Sequence, residues 1–135
     1  SLEAGEKLGL KPRAAIRSFA STGIDPCLML AAPADATKRA LARVGKGFAD
    51  VDLYEVNEAF ASVVLHFMER TGVSHDRVNV NGGGIAMGHP IGATGVMLAN
   101  TLVDELERTG AKSGIVTLCV GLGMGVATYI ERVEH

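Results

Sequence analysis

The chain has 135 residues, 47% of them apolar, and a formal net charge of −2. That length and apolar content suit one globular domain with a real core. So small and mixed a charge argues against nucleic acid or an anionic membrane as the main partner. In chain order, residues 1–10 read as the tail of a helix ending near Gly9. Arg13 to Thr22 alternates loosely and predicts a strand carrying Ile16 and Phe19. Pro26 and Pro33 bracket a loop from Cys27 to Ala32, and the alanine-rich run from Ala34 to Val44 is helical, stopped by Gly45 and Gly47. Asp52 to Val56 is a short strand. Ala59 to Arg70 is a helix with Phe60, Val63, Val64 and Phe67 at i, i+3, i+4 and i+7, closed by Gly72. Val78 to Val80 is strand-like. After a glycine-rich loop, Val96 to Arg108 is a helix apolar over Val96, Ala99, Leu102, Val103 and Leu106. Ile115 to Val120 is a nearly continuous apolar run, as expected of a strand buried on both faces. Gly121-Leu122-Gly123 turns the chain into a final strand from Met124 to Arg132. Helices alternating with strands imply layers packed on a mixed sheet.

There is no transmembrane run and no basic–apolar signal segment in residues 1–10, so the expected setting is cytoplasmic. There Cys27 and Cys119 would stay reduced. The four histidines show no metal-ligand spacing with cysteine or with one another, and no metal site is expected. The chain opens on Ser1 rather than methionine, as a processed product or a piece of a longer polypeptide does.

Three constellations bear on chemistry. The first is Asn79 to Gly95, "NVNGGGIAMGHPIGATG", in which six of the fourteen residues from Gly82 to Gly95 are glycine. Glycine is entropically costly in ordered structure, so the cluster serves a geometric purpose. His89 sits between Gly88 and Pro90. Proline disfavours the helical region for the residue before it and is welcome in a helix's first turn, which places His89 at the entry to the following helix. An imidazole there acts as a base or a hydrogen-bond donor, or makes a structural hydrogen bond. The loop fits neither G-x-G-x-x-G after a strand nor a Walker A sequence, so a free-standing nucleotide site is not expected. The second constellation is Cys119, at the end of the buried strand and before Gly121-Leu122-Gly123-Met124-Gly125. It is a candidate nucleophile or acid/base, against the plain reading of a buried strand-end thiol. The third is Asn57-Glu58, which interrupts an apolar stretch at a strand-to-helix join. Either Asn57 caps the helix and Glu58 favours its first turn, or the pair is functional.

Together, "NEAF" at Asn57 to Phe60, "GGGIAMGHPIGATG" at Gly82 to Gly95 and "CVGLGMG" at Cys119 to Gly125 resemble the three C-terminal motifs of thiolases in order and spacing. The resemblance covers essentially the whole chain. It implies an α/β fold, a mixed five-stranded sheet with helices on both faces, and a single domain over residues 1–135 that corresponds to the C-terminal half of a two-half enzyme. It implies acyl transfer on acetyl-CoA and 3-ketoacyl-CoA, with coenzyme A thioesters as substrates and no resident cofactor. It also implies a missing N-terminal half that carries the nucleophilic cysteine, and a homo-oligomer. Carried over residue by residue, His89 would activate that nucleophile and help bind the thioester oxyanion. Asn57 would hold a water completing the oxyanion site, Cys119 would be the second acid/base, and the Gly121 N–H would serve a second oxyanion site. Met29, Ala86, Met87 and Gly88 would contact substrate. Cys27 lies in the wrong context to replace the nucleophile.

The chain departs from the family where Leu30-Ala31-Ala32-Pro33 stands in place of a G-x-G-P run, next to the acyl pocket. Two other readings compete. One is a non-catalytic CoA- or acyl-binding module or a subunit of a split assembly. The other is a ketoacyl-synthase-like condensing enzyme, against which Cys119 and the "NEAF" asparagine both speak.

Overall fold

The computed structural model describes residues 1–133. Five helices and four strands of regular length follow in the order α1 (Leu2–Leu8), β1 (Ala14–Gly23), α2 (Pro33–Ala42), β2 (Leu53–Val56), α3 (Ala61–Thr71), α4 (Gly84–Met87), α5 (Thr94–Thr109), β3 (Ser113–Val120) and β4 (Met124–Arg132). The sheet has the spatial order β1-β4-β3-β2. β2 and β3 are parallel, with Val56 beside Thr117, whereas β4 runs antiparallel to both of its neighbours.

Alternation along the strands separates two cores. Ile115 and Tyr129 point to one face, where Tyr54, Leu41, Val63 and Phe67 pack around α2 and α3. Their neighbours Val116 and Ile130 point to the other, against Leu98, Leu102 and Leu106 of α5. Helices therefore cover both faces, as the apolar run through β3 predicts. On β1, one of the two edge strands of this sheet, the carbonyls of Phe19 and Ser21 accept from the guanidinia of Arg43 and Arg39. Such capping blunts an edge that would otherwise pair with another chain.

The sheet has four strands, not the five expected. The segment at Val78 lies beside β2 but makes only a single parallel bridge, Tyr54 to Val78. The next residue explains why. Asn79 adopts a left-handed backbone with φ 49°, which stops a ladder. Its side chain then does what a fifth strand would have done. Val56 N–H donates to Asn79 Oδ1 at 2.7 Å, and Asn79 Nδ2 donates to Val56 O at 2.9 Å.

Two helical faces are narrower than expected. Phe60 is the residue before α3 and is 61% exposed, and Val96 of α5 is 65% exposed. α4, inside the glycine-rich loop, has no counterpart in the periodicity, because one turn is too short to show a period. Among the described residues no helix is long and apolar enough to cross a membrane, and no group of three or more His, Cys, Asp or Glu side chains could hold a metal ion.

Candidate active site

The site grows from the carboxyl ends of the parallel pair β2–β3. Asn57 follows the last residue of β2, and its N–H donates to Thr117 O at 3.0 Å, which carries the pairing one residue further. It does not cap a helix: α3 begins at Ala61, and its N-cap position, Phe60, makes no side-chain cap. The Asn57 side chain is free for other work. It is 1% exposed, its Nδ2 lies 3.5 Å from His89 Nε2, and no protein donor among the described residues reaches its Oδ1. A buried amide oxygen without a protein partner is costly, so this one has capacity for a donor that the domain's own side chains do not supply.

His89 is presented by a short, closed turn. Gly88 precedes it at φ 88°, a backbone that side-chain-bearing residues rarely adopt, and the Gly88 N–H donates to Gly84 O at 2.8 Å. Beyond it, Thr94 N–H donates to Pro90 O at 2.9 Å. The Thr94 hydroxyl also donates to Pro90 O, at 3.0 Å, and its oxygen lies 2.7 Å from His89 Nδ1. The Asn57 amide nitrogen can only donate, so the Nε2 it faces is the accepting ring nitrogen; Nδ1 then carries the hydrogen and donates to Thr94 Oγ1, whose own hydrogen goes to Pro90 O. That assignment puts the lone pair on Nε2, the nitrogen that faces Asn57. The imidazole is thus held as a base with its basic atom turned toward the amide and its ring exposed to whatever enters.

Cys119 lies two residues beyond Thr117 on β3, at the same carboxyl end, and is half-buried against the α2–α3 core. Burial pushes its thiol above the ordinary range, so at neutral pH it is held as a thiol. Gly121 is exposed in the following turn, with open space where a Cβ would stand. Ala86, Met87 and Gly88 form the exposed end of α4 and its cap. Met29 is 39% exposed and strained, with φ 41°. Among the described residues, hydrogen bonds join His89 to Asn57 and Thr94 but join none of Cys119, Gly121 and Met29 to that pair. Cys27 is exposed, its N–H accepted by Asp25 Oδ1.

The departure at Leu30 to Pro33 is absorbed inside the domain. Leu30 packs against the α2–α3 core. Ala32 is 0% exposed and lies against Gly125, where a Cβ would come within 2.7 Å of the Ala32 methyl. The methyl therefore points into the protein, over a glycine that makes room for it.

Sequence reasoning missed Thr94, Asn79 and the reach of Glu58. A hydroxyl five residues after a histidine, across a Pro-x-Gly turn, was the available signal for Thr94. Asn79 and Glu58 had none, because their partners are distant in sequence.

A layered α/β domain that sets a histidine beside a buried asparagine amide at the carboxyl ends of parallel strands has the parts of a proton-transfer site, which is a broad class. Comparison with known proteins narrows that class. The family described as "Thiolase, C-terminal domain" matches residues 10–132. The 3-ketoacyl-CoA thiolase of Aliivibrio salmonicida is 49% identical over 135 residues, covering 98% of this chain and 35% of that protein. The acetyl-CoA acetyltransferase of Chromobacterium violaceum is 49% identical over 132 residues, covering 98% of this chain and 34% of that protein. The crystal structure of the Bacillus anthracis acetyl-CoA acetyltransferase superposes with a TM-score of 0.93 at 42% identity, covering 98% of this chain and 34% of that one. The chain belongs to the thiolase family, as its C-terminal domain, and spans about a third of the length of these relatives.

Proposed function

We propose that this chain is the C-terminal catalytic half of a thiolase that acts on acetyl-CoA and 3-ketoacyl-CoA thioesters, by Claisen condensation or thiolytic cleavage. The carrying observation is the oriented imidazole: Thr94 takes Nδ1–H and leaves the Nε2 lone pair beside Asn57. The nucleophilic cysteine comes from an N-terminal half. His89 Nε2 takes that thiol's proton as sulfur attacks the thioester carbon of acetyl-CoA in condensation, expelling CoA, or the 3-keto carbon of the 3-ketoacyl thioester in cleavage, where the carbon–carbon bond then breaks. The same imidazole, now protonated, and a water held by Asn57 receive the developing oxyanion. Such preorganised donors contribute roughly 3–4 kcal/mol each. Cys119, kept as a thiol by burial, protonates the leaving carbanion in cleavage; in condensation it first gives its proton to the departing CoA thiolate, and the Cys119 thiolate so formed takes the α-proton. The Gly121 N–H serves the second oxyanion. Ala86, Met87, Gly88 and Met29 line the thioester's approach. The thioesters are substrates, and no cofactor takes part.

The apolar side chains flanking His89 in sequence support a partner half. Ile85, Ile91 and Val96 are 67%, 86% and 65% exposed, far more than an isolated domain needs to leave in water. The assembled enzyme is a cytoplasmic homo-oligomer in this reading.

The test is acylation followed by mass spectrometry, with the chain alone and in the full-length enzyme. Alone, it should neither acquire an acetyl group from acetyl-CoA nor cleave acetoacetyl-CoA with free CoA. In the full-length enzyme, His89→Ala should slow acylation by about 10²-fold or more, whereas Cys119→Ser should leave acylation partly intact and cripple turnover by a similar factor. Thiolysis by the chain alone that depends on Cys27, or acylation blocked equally by both substitutions, would overturn the assignment.

A further inference from the structure

We propose that Glu58 is a positioning residue for His89: its carboxylate ties the glycine-rich loop to the end of β2 and so sets where the imidazole stands. The neighbouring residues Asn57 and Glu58 divide two tasks. Asn57 reaches the imidazole itself, and Glu58 reaches the turn that presents it. One carboxylate oxygen, Oε1, accepts from Asn79 Nδ2 at 3.1 Å; the other, Oε2, accepts from the Ile85 backbone N–H at 2.9 Å. Asn79 is 8% exposed and already locked to the sheet through both of its side-chain bonds to Val56. Glu58 is therefore anchored on the sheet side and grips the loop side. Ile85 lies in the single turn that Gly88 N–H to Gly84 O closes, directly ahead of His89.

A second observation comes from Gly83. Its φ of −160° is ordinary extended backbone, which any residue adopts. Yet a Cβ there would stand 2.6 Å from Glu58 Cδ and 2.8 Å from each carboxylate oxygen. The backbone of Gly83 thus lies flush against the carboxylate, and a methyl at position 83 would push Glu58 off its two hydrogen bonds. This contact and the two hydrogen bonds define a clamp closed from three sides. A base displaced by about 1 Å loses on the order of 10²-fold in rate, so the clamp bears directly on catalysis although Glu58 itself touches no substrate.

The inference rests on the thiolase reading for its kinetic arm only. In the full-length enzyme, hydrogen–deuterium exchange of the peptide spanning residues 83–89 is measured beside acylation by acetyl-CoA. The proteins are the parent, Glu58→Ala, Glu58→Gln, Gly83→Ala and the double variant Glu58→Ala/Gly83→Ala. Glu58→Ala and Gly83→Ala should each speed exchange of that peptide and slow acylation by about 10- to 100-fold, with KM for acetyl-CoA nearly unchanged. Glu58→Gln should fall between Glu58→Ala and the parent, because the two donors face separate carboxylate oxygens and the amide NH2 that replaces one of them cannot accept. The decisive result is the cycle. With Glu58 truncated, a methyl at position 83 has room, so the double variant should match Glu58→Ala alone. Full additivity, or unchanged exchange in Glu58→Ala, would overturn the clamp. If the parent showed no acylation, the proposed function would fail, and the exchange cycle would still decide for or against the clamp.

Discussion

Glu55 sits in β2, two residues before Asn57, and its replacement by glutamine should stabilise the domain in a strongly pH-dependent way. The side chain is 2% exposed, and its Oε2 has no hydrogen-bond partner among the described residues. Burial first, then the charges of Glu58 and Glu105, push its carboxyl up to about 8. Glu105 keeps its own charge, because Arg108 and Asn81 hold it down to about 2. The folded chain therefore prefers Glu55 as the neutral acid, whereas an unfolded glutamate ionises near 4.5. Below that pH both states carry the proton, and the residue costs nothing. As pH climbs from 4.5 toward 8, only the unfolded state gains by ionising, so stability falls; above 8 the loss is complete. At 1.36 kcal/mol per pH unit the full loss is at most about 5 kcal/mol, with about 3 kcal/mol already lost at pH 7 and under about 1 kcal/mol at pH 5.

Glutamine keeps the shape and cannot ionise. It still buries an imperfectly paired amide, at a cost of about 1 kcal/mol. Glu55→Gln should thus match the parent at pH 5 and exceed it by about 2 kcal/mol at pH 7. With an m-value of about 2 kcal/mol/M, the urea midpoint should rise by about 1 M. Urea titrations followed by circular dichroism at pH 5, 7 and 8 decide the matter. A glutamine variant that is less stable than the parent by the same margin at every pH would refute the reasoning, since it would mean that Glu55 is ionised and paired in the folded chain. So costly an acid at the root of the strand that carries Asn57 is what a site assembled at some expense of stability looks like.

Two further substitutions test the site and its support. Thr94→Val keeps the shape but removes the acceptor of His89 Nδ1–H; acylation in the full-length enzyme should slow at least ~10-fold, a part of the ~10²–10⁴ that a placed base contributes, and Thr94→Ser should restore it. A Thr94→Ser variant as slow as Thr94→Val would take the tautomer lock away from the hydroxyl. Gly114→Ala should destabilise the domain by about 1–3 kcal/mol, because its methyl would overlap the Leu102 side chain of α5 in the second core; a thermal melt checks it, and an unchanged midpoint would show that α5 can shift.

Much of the architecture was legible in the residues themselves. Helices and strands that bury one face announce it by period, which is why α2, α3, α5 and the strands lie within a few residues of where the pattern put them. The His89, Cys119 and Asn57 motifs stood out because glycine clustering, a strand-end thiol and polar residues in an apolar run break the local pattern. Long-range pairings leave no such trace. Asn79 taking the hydrogen bonds of a fifth strand, Glu58 crossing to Ile85 instead of opening α3, and Thr94 choosing the nitrogen on which His89 is basic all depend on side chains meeting across the fold. Burial behaves in the same way. Glu55 reads as one polar residue in a strand, and only the helix packed over that face removes it from water and raises its carboxyl. Local periodicity decides which residues turn inward; the environment they then share, and with it the protonation and orientation of the site, belongs to the tertiary structure.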